Sequence, residues 1–450
     1  MKKKFLIFFF LILNNCSFDN KTGIWKDASV INLKNKELSK KENLKKIFLI
    51  DELFKEEIRA PNKINLKLSK PLKNKNWYDI YLNKTNNIPN FKYQNNNKLI
   101  YKSRKLTKNN IGNDILFIDD NLIYNDEKGF IYVHSLKNGQ TIFKYSFYKK
   151  KLKKYKKDLS LYVFENNIIV ADNFGYIYSL DFSNNKLNWA HNYGIPFRSN
   201  IKISNNVIFL ANEDNTLYAL NIFNGKKLWD FATEPSLLKS SFKNNLVLDQ
   251  KNNLYLLNTN GNFHSINTVS RNINWILNFN QISRSETSDI FNSSPVVINN
   301  ETFLVSTDKS ISLHNNLTGF EYWKHNIAIK EGLYPLISED LLYLFTKQNL
   351  LICIGMSDGK ILWSSKILSN SKKSKDKLIK KKVGDINFMY LVNTKILLFT
   401  NKNLIIQVDP KSSDINSIKK LPFKKKYISV KFINGDMFLV SAKNQLFKFN

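Results

Sequence analysis

Five histidines, His134, His191, His264, His314 and His325, are the first residues to examine for chemistry, because imidazole serves both metal binding and proton transfer. They are scattered along the chain and form no metal-ligand spacing. The serine-rich stretches Ser283 to Ser288 and Ser364 to Lys375 contain no nucleophile elbow and read as loops. There are two cysteines, Cys16 and Cys353, and no adjacent cysteine pair. Cys353 lies in the apolar run Leu350-Leu351-Ile352-Cys353-Ile354 and reads as a small buried residue.

Cys16 is different, because of what precedes it. Lys2, Lys3 and Lys4 form a basic start, and Phe5 to Leu13 an uninterrupted apolar run too short to span a bilayer, the pattern of a secretory signal. The string Leu13-Asn14-Asn15-Cys16 resembles a bacterial lipobox, although Asn15 stands where a small residue is usual. Lipidation of Cys16 and export are therefore expected, with the membrane reached through the lipid anchor.

The net charge of +32 raises the question of nucleic acid. Arginine occurs only at positions 59, 104, 198, 271 and 284, so the charge is almost entirely lysine, spread along the chain without the bidentate guanidinium that recognition of bases and phosphates favours. No nucleic-acid partner is assigned. With 43% hydrophobic and 13% aromatic residues, the chain has ample material for a large core.

The elements that would carry any site come from internal repetition. Asn205 to Ala211, a polar turn, Thr216 to Leu220, Asn224-Gly225, and a strand ending in Trp229 make one copy. Asn166 to Trp189 and Asp340 to Trp363 are others. Each is a β-meander with hairpin turns. The anchors Phe143, Trp189, Trp229, Trp275, Trp323 and Trp363 are spaced by 46, 40, 46, 48 and 40 residues, which suits four-stranded propeller blades. Two copies without the aromatic, near 395 to 418 and 436 to 449, bring the number to eight. The last copy lacks a strand, and Asn76 to Tyr81, with its unpaired Trp77, is the expected donor. The fold class is thus all-β, an eight-bladed propeller of four-stranded antiparallel blades closed by an N-terminal strand. A signal peptide over 1–15, a lipidated cysteine and tether over 16–72 with a short helix within 44–58, and the propeller over 73–450 complete the organisation.

The block Asn224-Gly225-Lys226-Lys227-Leu228-Trp229 resembles the pyrroloquinoline-quinone-type repeat, and eight such blades on an exported lipoprotein resemble the BamB family of outer-membrane assembly factors. The strings Asp289 to Val297, Gly332-Leu333-Tyr334-Pro335, Val408-Asp409-Pro410 and Leu421-Pro422 carry the resemblance further. It implies a non-enzymatic, lipid-anchored protein on the periplasmic face of the outer membrane. Its partners would be the periplasmic domains of a BamA-like barrel insertase and unfolded outer-membrane protein clients. The docking loop it implies is 280–295, with Arg284, Asp289 and Asn292 as polar contacts and Ile290 and Phe291 as apolar ones. An alternative reading of Asp289 and Asn292 is that they cap a turn. Quinone-dependent dehydrogenases share the repeat, but the acidic cluster and cysteine pair of such a site are missing from this sequence. A propeller that binds cell wall or polysaccharide is the other alternative. No catalytic residue, metal or cofactor is assigned.

Overall fold

In each repeat the second and third strands are apolar runs buried along their length, such as Ile168 to Ala171 and Leu341 to Phe345, because a blade is covered on both faces by its neighbours. The fourth strand alternates, as in Lys227–Ala232, since blades diverge towards the outside. The computed structural model describes residues 16–18, 25–27, 52–61, 67–236, 242–280, 291–367, 383–423 and 426–450. Residues 1–53 and 54–450 are separate units. In the first, Cys16–Phe18 pairs with Trp25–Asp27 as a two-stranded antiparallel ribbon. The signal expected over 1–15 lies outside the described residues.

The second unit holds eight four-stranded antiparallel sheets. Seven are continuous in sequence, over 111–146, 159–192, 202–232, 245–278, 297–325, 336–365 and 386–420, numbered here as blades one to seven. The eighth combines 427–449 with Leu99–Lys102. First strands of neighbouring blades touch one another and line the centre of the ring. A single helical turn, Lys150–Lys153, is the only helix among the described residues.

One device recurs in every blade. The register between third and fourth strands shifts beside the anchor residue: Ser179 faces Trp189, but Leu180 faces Leu187. Cys353 and Trp363, then Ile354 and Ile361, repeat it. This bulge turns the anchor towards the following blade. There the indole N–H donates to a backbone carbonyl: Trp189 to Ile222 at 3.0 Å, Trp275 to Asn316 at 3.3 Å, Trp323 to Met356 at 2.8 Å and Trp363 to Pro410 at 3.1 Å. The ring covers the next blade's turn, where a Cβ at Gly225 would come within 2.4 Å of Trp189. Glycine is needed at this turn twice over, since its φ is also +68°.

Two expectations need correction. The closing strand is Leu99–Lys102, with Leu99 opposite Phe449 and Tyr101 opposite Lys448; Trp77 is not in it. Tyr101 takes the anchor position, beside the same bulge, with its phenol 3.0 Å from where a Cβ of Gly139 would stand. The chain around Trp77 turns away after one bridge, as the Asp79 carboxylate caps a turn at Tyr81, so no ladder can propagate. Nor is there a helix over 52–58, while 44–51 lie outside the described residues. Phe54 donates to Asn326, and Ile58 exchanges backbone hydrogen bonds of 3.0 and 2.9 Å with Ser364, so 54–58 run extended from the end of blade five to the outside of blade six.

Candidate interaction site

The centre of the ring is closed at one end by residues 69–94. Going round the ring, this segment bonds to every first strand or the turn leaving it. Ser69 reaches Ser338 and Phe91 reaches Leu391. Asn74 meets Phe432 and Asn434, and Trp77 pairs with Phe117. Tyr78 accepts from Val163, Lys84 from Leu248 and Thr85 from Ile298, leaving blade three to Asp79. There the Lys202 ammonium, fully buried, donates to the Asp79 carboxylate at 2.5 Å and to Asn83 O and Asn86 Oδ1 at 2.6 Å. Burial pushes the Asp79 carboxyl up and the Lys202 ammonium down, and three converging acceptors hold the proton on lysine.

Trp77 is 1% exposed, stacks on Phe91, which stacks on Phe432, and lies 3.5 Å below the Lys431 ammonium. Burial lowers the Lys431 ammonium to about 7, against the opposing pull of Asp114 and Asp79. Burial likewise raises the Asp114 carboxyl to about 7, although it accepts a 2.7 Å hydrogen bond from Leu161 N.

The other end is open. A cavity of about 450 Å³ descends between the inter-blade loops. Its walls include Asp114, Ser160, Asn200, Asn245 and Tyr334, and Tyr81 of the plug meets Tyr334 edge to face at 5.9 Å. Lys243 and Asp158 form an exposed ion pair of 2.5 Å at the mouth. Asn292 to Pro295 are part of the wall, and Asn292 O accepts from Asp308 N at 3.2 Å.

Of the residues expected in the docking loop, Arg284, Asp289 and Ile290 lie outside the described residues. Asn292 is half-buried on the cavity wall. Phe291 is a correction: it is 6% exposed, packs edge to face on Phe242 at 5.3 Å and belongs to the core of blades four and five, so its ring is not presented to a partner. Three of the five histidines have structural settings. His191 and His325, each two residues past an anchor tryptophan, bond to the turn carbonyls of Asn224 and Gly359 in the next blade. His314 stacks on Phe303 at 4.9 Å. Among the described residues no group of three or more His, Cys, Asp or Glu side chains could hold a metal ion.

Sequence reasoning overlooked Asp79, Lys202, Asp114 and Lys431. A signal existed for two of them: Ile201-Lys202-Ile203 and Val430-Lys431-Phe432 place a cation inside an apolar first strand, where only a channel-facing position can tolerate it.

The sequence model for outer membrane protein assembly factor BamB matches residues 127–313 and 307–415, well over half of the chain. The chain belongs to the BamB family. Among solved structures, BamB from Moraxella catarrhalis superposes with a TM-score of 0.59 at 13% identity, covering 78% of this chain and 99% of that one. A quinohemoprotein alcohol dehydrogenase from Comamonas testosteroni gives 0.59 at 8% identity over 83% and 80%. The computationally designed Ika8 protein gives 0.57 at 10% identity over 78% and 99%. At these identities the structural likeness concerns the fold alone. No curated protein matches the chain in sequence.

Proposed function

We propose that this BamB-family propeller is a non-enzymatic scaffold lipoprotein of the outer-membrane β-barrel assembly machinery, anchored at Cys16 on the periplasmic face. The observation that carries this reading is the family match over 127–415, which spans blades two to six and most of blade seven. In this reading the open rim, with Asn292 on its wall, docks onto the periplasmic domains of a BamA-like insertase, and Arg284, Asp289 and Ile290 take part in that contact. A stiff ring with long inter-blade loops suits that work, because loops on a rigid scaffold recognise partners at little ordering cost. The insertase would then receive unfolded barrel clients held close by.

Capture of partners with the tagged chain from detergent-solubilised outer membranes tests the reading. The barrel insertase is expected among them, and Asp289→Lys is expected to deplete it; recovery of every other periplasmic partner without the insertase would overturn the assignment. Cys16→Ala is expected to move the protein to the soluble fraction.

A further inference from the structure

The turn between the third and fourth strands has five residues in blades one to seven, the fifth in the left-handed region, as at Gly225, Arg271 and Gly319. The first residue caps the third. Phe223 N donates to Asn221 Oδ1 at 2.9 Å, Val269 N to Asn267 Oδ1 at 3.0 Å and Leu317 N to Asn315 Oδ1 at 2.9 Å, which fixes the third residue at the tip with its N–H already paired. That tip residue is Lys137, Ser183, Ser357 and Lys411 on blades one, two, six and seven. On the consecutive blades three, four and five it is Phe223, Val269 and Leu317. Val269 is 82% exposed, Phe223 70%, and Phe320, three residues beyond Leu317, 67%, the highest values of any large hydrophobic side chain among the described residues.

These tips stand at the closed end of the ring. Ile222 N donates to Asn206 O at 3.0 Å, Thr268 Oγ1 to Asn252 O at 2.8 Å and Asn316 N to Glu301 O at 2.9 Å, so each lies beside the turn that leaves its blade's first strand, where the plug is bound. The same end is cationic. The plug carries Lys70, Lys73, Lys75, Lys84 and Lys92, and its single carboxylate, Asp79, is enclosed with Lys202. In the turns of blades three and four Lys226, Lys251 and Arg271 are exposed, against Glu301 and Glu321 on blade five. Apolar tips set among cations match a bilayer with anionic headgroups, because a fluid layer accepts separate protrusions without a matching groove.

We propose that the closed end of the propeller is a lipid-facing surface, on which Phe223, Val269, Leu317 and Phe320 enter the headgroup boundary of an anionic bilayer and the plug lysines meet the headgroups. A few shallow side chains give a reversible contact, which orients the ring and does not replace an acyl anchor. The open end then points away from the bilayer. The inference stands on this face alone and needs no insertase at the other.

The probe is a vesicle of phosphatidylethanolamine and phosphatidylglycerol, sedimented with the mature chain, from position 16, carrying Cys16→Ala so that no acyl chain contributes. Reversible binding is expected, falling as salt rises. Phe223→Ser combined with Phe320→Ser should lower the partition coefficient about tenfold or more, with the melting temperature unmoved because both rings are exposed. Tyr155→Ser, on an inter-blade loop of the open end, should leave binding unchanged. Phe223→Trp should add emission that lipids brominated in their chains quench. Undiminished sedimentation of the double variant, equal binding to phosphatidylcholine vesicles at every salt concentration, or no quenching of the new tryptophan would each overturn the proposal. A wild-type dimer that the double variant dissociates, with neither form binding vesicles, would assign the tips to a second copy and overturn it as well. Insertase capture by the double variant separates this face from docking at the open end: it is expected to persist.

Discussion

The two ends of the central channel are built from the same eight first strands, yet they differ in what satisfies their polar groups. At the closed end, residues 69–94 supply partners from within the chain, and even an ion pair is fully enclosed with three acceptors around one ammonium. At the open end Asp114 has one backbone donor, and the ion pair of Lys243 and Asp158 stands in solvent. The closed end is therefore a structural joint, where the enclosed ion pair cannot lose a partner without cost. The open end keeps polar groups underused, the condition for meeting a partner.

Three substitutions sharpen that contrast. Lys202→Met leaves the Asp79 carboxylate buried without its counter-charge, and an unfolding midpoint in urea should report a loss of about 3 to 5 kcal/mol; a loss below about 1 kcal/mol would mean that the plug is dispensable. Asp114→Asn should act the other way. The folded carboxyl holds its proton up to about pH 7 against an ordinary value of 3.8, so the wild type loses stability as pH rises between these values. Asparagine keeps an acceptor for Leu161 N and removes that loss, giving a gain of about 1 to 2 kcal/mol at pH 8 and none at pH 4. A gain of the same size at both pH values would point to packing and not to charge. Lys243→Ala, which breaks only an exposed pair, should shift the midpoint by less than about 0.5 kcal/mol.

The repeat was readable because the bulge, the left-handed turn and the aromatic anchor act as one mechanical unit, with tryptophan set over glycine where blades two, four and five dock on the next blade. Trp189, Trp275, Trp323 and Trp363 consequently betray their own spacing. Ring closure was harder, because Lys98-Leu99-Ile100-Tyr101 copies the spacing of Lys186-Leu187-Asn188-Trp189 with a smaller aromatic, while the isolated Trp77 gave the louder signal. The plug has no repeat to betray it. Its residues answer to eight different blades, so no local period describes them. Phe291 misled for a related reason, since an apolar residue next to a polar loop can face either a partner or the core, and only the position of Phe242 decides between them.

Leu99 is paired with Phe449, and Asp79 with a lysine that follows it by more than a hundred positions. A chain emerging from its N-terminus thus exposes its plug and its closing strand long before the surfaces that receive them exist. The plug gains its partners blade by blade, and the closing strand has none until the final blade is made. Assembly of the ring is consequently a late, cooperative event of high contact order, and a chain cut short within its last blade would lose the closing pair at both of its ends at once.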